Sequence, residues 1–306
     1  MRRALADYLH EKGKIDDKII FLTGDLGFEV FDKFKKDFPN RYINAGIAES
    51  NMVATAAGLS SAGFKPIVYS IASFMTSRPF EFIKILGSYN NFPLTIIGAG
   101  GGLTYSAGGA THHALDDLAL MLTIPNVNVF SPAGPIELKM CLEFAQNSSK
   151  TSYIRIGKFG EVDLPRINKE VITPNLILEG KKIAILSHGS SSADCLVSAR
   201  KINQALPDSV ALYHFSSLRP ISNGSLQDIL NSYSKILVVE DHWPVGGLYQ
   251  IVLSTLQVAS RRCTVDRLGP PHEFLEDPLD NLSTKARFNY GESAVISKVN
   301  ELLERF

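Results

Sequence analysis

The chain of 306 residues is poor in cysteine, with Cys141, Cys195 and Cys263 far apart, and it carries one tryptophan. Three scattered thiols give neither a disulfide framework nor the paired spacing of a zinc site, which fits a reducing compartment. Neither sign of charge is in excess, since Lys plus Arg and Asp plus Glu each number 31. No global field therefore recruits nucleic acid or an anionic membrane. No apolar run approaches membrane-spanning length, and the opening MRRALADYLHEKG reads as an amphipathic helix of mixed charge rather than a leader. These absences predict a cytoplasmic protein.

What is present is ordinary globular composition, 45% apolar and 20% charged, long enough for two domains with cores of their own. Short β-branched runs recur at 19–24, 66–72, 93–99 and 126–132, separated by segments of helical spacing such as 52–63 and 135–147. That alternation predicts an α/β fold with a mostly parallel, doubly wound sheet, which binds ligands at the carboxyl ends of its strands. The pattern pauses after SYIRIG (152–157) in a stretch holding Pro165 and Pro174, then restarts with KIAILSHG (182–189), VALYHFS (210–216), KILVVED (235–241) and CTVDRLG (263–269). The expected organisation is a first domain over 1–160, a linker over 161–180 and a smaller α/β domain over 181–306.

GIAESNM (46–52) places Glu49 among Gly46, Ala48, Ala54, Ala56 and Ala57. Glu49 is then either a solvated acid in the first turn of a helix or a buried proton handler among closely packed neighbours. Six glycines fall between Gly98 and Gly109 after a strand, so a backbone, ligand or partner comes very close there. The loop matches neither a P-loop nor a dinucleotide fingerprint. It ends at Thr111, His112 and His113, with Asp116 and Asp117 following. Thr111 could cap the next helix; a metal site fits poorly because adjacent histidines diverge; a histidine on such a loop suits binding or protonating a substrate oxygen. Phe74 could be core, and Arg155, at a strand end where core facing is unexpected, could serve a salt bridge or an anion. Glu240, Asp241 and His242 read as structural or interface residues.

Taken together, FPNRYINAGIAESNMVATAAGLSSAGFKPIVYSIASFMTSRPFEFI, GGATHHALDDLALMLTIPNVNVFSP and VVEDHWPVGGLYQIVL resemble the C-terminal half of the transketolases, across almost the whole chain. They are also similar to 1-deoxyxylulose-5-phosphate synthase and, more distantly, to 2-oxoacid dehydrogenase β chains. The resemblance implies a pyrimidine-binding domain, a linker and a C-terminal domain that mainly supports dimer contacts. It implies thiamine diphosphate as cofactor, with Glu49 bonding the aminopyrimidine nitrogen, Phe74 stacking on that ring and the aliphatic Ile71 beside it. His112, with His113 next to it, implies contact with the substrate's reacting oxygens, and Arg155 a grip on a sugar phosphate. A carboxylate among small apolar neighbours would suit sharing a proton with a ring nitrogen better than carrying a bare charge.

Two departures narrow the expectation. SAGGATH stands where transketolases carry Gly-Glu-Asp-Gly-Pro before the Thr-His pair, with Gly108 at the Asp position and Gly100 nearest a missing phosphate histidine, so the sugar substrates need not be the usual pentose phosphates. The Gly-Asp-Gly and following Asn that hold diphosphate through Mg²⁺ or Ca²⁺ are absent, GDLG (24–27) being the nearest string. The metal and diphosphate are thus expected on an N-terminal partner subunit, giving a split transketolase of α₂β₂ type. The alternatives are a synthase-like or dehydrogenase-like decarboxylating subunit and a non-catalytic homologue.

Overall fold

The computed structural model describes residues 1–158, 161–165, 170–260, 263–275 and 280–304. Among the described residues, twelve strands form two sheets. The first holds β1 (Ile19–Thr23), β2 (Tyr42–Asn44), β3 (Lys65–Ile71), β4 (Thr95–Ala99), β5 (Asn128–Phe130), β6 (Ser152–Ile156) and β10 (Ser217–Arg219). Their order is β10-β5-β6-β4-β3-β1-β2, parallel throughout except for β10 at the edge. The second holds β7 (Asn175–Leu178), β8 (Ile183–Ser187), β9 (Val210–His214), β11 (Lys235–Val239) and β12 (Thr264–Leu268), in the order β12-β11-β8-β9-β7 with β7 antiparallel.

The β-branched runs form these strands because both faces of each central strand are covered. Ile20 and Leu22 pack with Met52, Val53 and Ala56 on one face, while Ile19 and Phe21 pack with Leu5, Leu9 and Phe34 on the other. Alternation along a strand sends successive side chains to opposite faces, so a strand buried on both reads as a continuous apolar run. The helices that accompany the strands include Arg2–Gly13, Glu49–Ser61, Pro135–Asn147, Ser191–Ala205, Ser225–Ser232 and Leu248–Leu256.

Two strands cross the expected linker and domain bounds. Residues 175–178, expected within the linker, form β7 of the second sheet, because Leu176 and Ile177 find apolar cover there. β10, in the expected second domain, adds to the edge of the first sheet, and Arg219 donates from it to the carbonyls of Met121, Leu122, Ile124 and Val127. Part of the predicted linker, residues 166–169, lies outside the described residues. No described helix is long and apolar enough to cross a membrane.

In the first sheet the chain steps from β1 to β2 on one side and then returns to build β3, β4, β6 and β5 on the other. The strand order therefore reverses at the carboxyl ends of β1 and β3, and open α/β sheets bind ligands in such a crevice.

Candidate active site

Three segments converge at that crevice. β1 ends at Thr23 and Gly24, β3 ends at Ser70 and Ile71, and the helix Glu49–Ser61 starts there with Glu49 as its first residue. Glu49 is therefore a first-turn acid, but at 2% exposure it is not a solvated one. Its Oε1 accepts from Ser70 Oγ at 2.9 Å and its Oε2 from Arg78 Nη1 at 2.7 Å. The apolar setting expected for Glu49 is thus replaced by a hydroxyl and a guanidinium, which meet the demand of a buried carboxylate for donors. Gly24 leaves room for it, since a Cβ there would lie 3.3 Å from Ser70 Oγ and 3.6 Å from Glu49 Oε1. Gly46 has a different reason: its φ is +70° and the space beside it is open, so a turn and not tight packing requires glycine.

Ile71 precedes the short helix Ala72–Ser77, which presents half-buried Phe74. Arg78, four residues on, lies over the Phe74 ring with its guanidinium carbon 4.0 Å from the ring centre. His112 meets the same ring edge-on at 5.1 Å and 64°, and Tyr105 lies 6.2 Å from His112. Lys158 Nζ stands 4.3 Å over the Tyr105 ring, adding a cation at the far end. A cleft of about 340 Å³ runs beside Phe74 and Arg78, lined also by Thr111, His113, Trp243 and Phe274. Glu49 does not line it, whereas Arg78, which donates to Glu49, does.

The histidine pair divides as adjacent residues on a turn do. His112 is half-buried, with Nδ1 2.9 Å from Thr111 Oγ1, so it keeps Nε2 for another partner. His113 is buried and donates from Nε2 to the Ser106 carbonyl at 2.9 Å. Thr111 does not cap the following helix, which runs Asp117–Thr123 behind Asp116. Among the described residues no group of three or more His, Cys, Asp and Glu side chains is placed to hold a metal ion.

Arg155 does not join this group. Against the sequence expectation it faces the interior, 6% exposed, with Nε 3.6 Å from Asp117 Oδ2 and Nη2 donating to the Asp241 carbonyl at 2.6 Å. It lies at the seam between the two sheets, where Asp241 accepts from Leu103 N at 3.0 Å and from Tyr290 Oη at 3.1 Å. Burial pushes the Asp117 carboxyl up, against the opposing pull of Arg155. The glycine loop is explained by the same seam. A Cβ on Gly101 would fall 2.0 Å from Arg155 Nε, one on Gly102 2.0 Å from Asp241 Oδ2, and one on Gly100 1.9 Å from the Tyr105 ring. What comes close to these glycines is the chain's own side chains. Glu240, Asp241 and His242 are buried there, as a structural reading expects.

Sequence reasoning missed Ser70, Gly24, Tyr105 and above all Arg78. Only Arg78 carried a local signal, its i+4 spacing from Phe74, which puts two helical side chains on one face.

Two mostly parallel α/β sheets in series, with a buried acid at the first strand reversal, define the class, and family models place it. The transketolase pyrimidine-binding domain matches residues 1–159 and the transketolase C-terminal domain residues 175–288. The chain belongs to the transketolase family, whose members depend on thiamine diphosphate. It is 28% identical over 264 residues to one subunit of the apulose-4-phosphate transketolase of Phocaeicola vulgatus, covering 83% of each chain. It is 30% identical over 242 residues to the subunit of the same name in Actinobacillus succinogenes, covering 77% of this chain and 76% of that one. The solved structure of a split-gene transketolase, an inactive β4 tetramer, superposes with a TM-score of 0.86 at 28% identity, covering 99% of this chain and 98% of the other. The chain spans 46% of a 1-deoxyxylulose-5-phosphate synthase of Halothermothrix orenii, at 28% identity.

Proposed function

We propose that this chain is the C-terminal, pyrimidine-holding subunit of a split transketolase, which transfers a two-carbon ketol unit from a ketose to an aldose once a second chain supplies the diphosphate and metal site. The observation that carries the proposal is Glu49, buried at the strand reversal and linked to Phe74 through Arg78, in a chain whose family matches are the pyrimidine-binding and C-terminal domains. The two apulose-4-phosphate transketolase relatives, each a single subunit covered for most of its length, support the split arrangement; the synthases, covered for less than half of theirs, favour the synthase alternative less.

The residues present fit the aminopyrimidine end of the cofactor. Glu49 is placed to hold a proton shared with a ring nitrogen, and Ser70 fixes its carboxylate plane. Phe74 supplies a face for the ring, with Ile71 at the strand end below. When bound, thiamine diphosphate supplies the carbon nucleophile and the electron sink, and the protein holds, orients and keeps water out. His112, with Nε2 uncommitted to Thr111, is placed to donate to or accept from a sugar oxygen. Mg²⁺ or Ca²⁺ would sit with the diphosphate on the partner. A sugar-phosphate substrate is supported by the relatives' names, and Lys158 Nζ over the Tyr105 ring offers a cation on the His112 side.

The test is turnover of the purified chain alone and mixed with a candidate diphosphate-binding subunit, given thiamine diphosphate, Mg²⁺ and a panel of ketose phosphates with aldose acceptors. Ketol transfer by the mixture alone is the expected result. Turnover by the single chain, or a requirement for a lipoyl carrier and a 2-oxoacid, would overturn it.

A further inference from the structure

Arg78 makes both contacts on which the pyrimidine site depends. It donates to Glu49 Oε2 at 2.7 Å and lies over Phe74 at 4.0 Å. A planar group that bonds this carboxylate while stacking on this ring is also what an aminopyrimidine presents. The edge of His112 takes a further part of the ring's surroundings. A carboxylate oxygen can accept two bonds, but two planar groups do not occupy one stacking position on one ring face.

The exposed member of the trio is the arginine. Glu49 is 2% exposed, held by Ser70 and fixed at a helix start, whereas the Arg78 side chain is 43% exposed at the edge of the cleft. Its backbone is secured separately, the Arg78 carbonyl accepting from Ser50 Oγ at 3.0 Å, so the side chain can turn without the helix moving. A buried carboxylate left without a counter-charge is costly. The guanidinium offsets that cost for as long as no ligand does.

We propose that Arg78 is a built-in occupant of the pyrimidine site: a planar cation that closes the site in the unloaded chain and swings out when a 4-aminopyrimidine takes over its hydrogen bond and its stack. The proposal rests on the assignment of Glu49 and Phe74 above. It makes the site selective for ligands that replace both contacts at once, and it makes cofactor affinity depend on how often Arg78 is out.

The probe is 4-amino-5-hydroxymethyl-2-methylpyrimidine titrated into the full chain. Binding is read by calorimetry and by the fluorescence of Trp243, the one tryptophan, which lines the same cleft. Arg78→Met keeps the stem and removes the plane and the charge, and is expected to bind about tenfold more tightly than the wild type, because the competent fraction rises. Arg78→Lys is expected to fall between. The double variant Glu49→Gln/Arg78→Met is expected to lose the gain and to melt above Arg78→Met, since no charge is then buried unpaired. Equal or weaker binding by Arg78→Met would overturn the occupant role, as would equal melting of the single and double variants. If Arg78→Met does not fold, Arg78→Lys, which keeps the charge and removes the planar stack, reads the same exchange against the wild type, and equal or weaker binding by it overturns the occupant role. Thiamine diphosphate binding by the assembled complex separates the failures: with binding there and no effect of Arg78, only the occupant idea falls; with none, the thiamine assignment falls too.

Discussion

Each sheet has a point where its strand order reverses, and the two points have opposite fates. At the first, by the ends of β1 and β3, a buried carboxylate meets an exposed arginine beside a cleft of about 340 Å³. At the second, by the ends of β8 and β11, Arg155 and the glycine loop of the first domain fill the crevice. The space left among Arg155, His188, Ser190 and Asp241 is about 10 Å³. The seam buries more ionisable side chains than the cleft does, yet it has no room for a ligand. Burial of charge does not by itself mark chemistry; a buried charge whose partner is exposed and can leave is the more telling arrangement.

The comparison breaks most visibly at Glu49. Glu49→Gln keeps the shape and the Ser70 contact while removing the proton-sharing group, so ketol transfer by the assembled enzyme should fall about 10³-fold. Far-ultraviolet dichroism and partner binding should stay unchanged. Turnover within a few-fold of wild type would show that Glu49 is merely a helix-start charge.

At the seam the same kind of change should act on stability. Arg155→Met strands Asp117 in the interior without its counter-charge, Tyr153 Oη still donating to it at 2.7 Å. The expected loss is about 3 kcal/mol in urea unfolding, typical of a broken buried pair. A raised KM for the sugar phosphate with unfolding unchanged would instead restore Arg155 as a phosphate anchor.

How far these roles were legible follows from the range of each signal. The strands were readable because burial on both faces writes itself into consecutive residues, as in IIFLT and IAILS. β7 and β10 were not, since each is short and is set by an antiparallel pairing with a strand distant in the chain. Glu49, Phe74 and His112 stood in motifs whose spacing survives in one dimension. The burial of Arg155 was not legible, although a salt bridge was among its readings, because its partners Asp117 and Asp241 lie 38 and 86 residues away. The glycines announced a close approach correctly, but not that Tyr105, Arg155 and Asp241 made it.

Acid should loosen the seam before it affects the cleft. His242 Nδ1 donates to the Trp243 carbonyl at 2.7 Å, and Nε2 accepts from Ala119 N at 3.4 Å at the start of the helix Asp117–Thr123. Burial holds the imidazole down at about 3, and the His188 ring is lowered by burial as well. A folded value below the unfolded one means that protons bind the unfolded chain first, so stability is complete above pH 6.5 and falls as pH drops toward 3. The loss from His242 should reach about 2 kcal/mol by pH 5, read as a lower melting temperature, and His242→Gln should flatten the slope. A melting temperature constant from pH 7 to pH 5 would contradict the buried neutral ring.

The smallest effect sharpens the contrast within one loop. Gly102 and Gly109 both have positive φ, +64° and +72°, but a Cβ on Gly102 collides with Asp241 at the seam while one on Gly109 meets nothing within 4 Å. Gly109→Ala should therefore cost only the backbone strain of an L residue in that region, about 1 kcal/mol. Gly102→Ala adds displacement of Asp241 from Leu103 and Tyr290 to the same strain, so its loss in urea unfolding should be clearly the larger. Gly109 also accepts from His112 N at 2.9 Å, so its variant should change KM for the sugar more than it changes melting. Equal destabilisation by the two alanines would mean that backbone freedom, and not closure of the seam by Asp241 and Arg155, is what the loop's glycines provide.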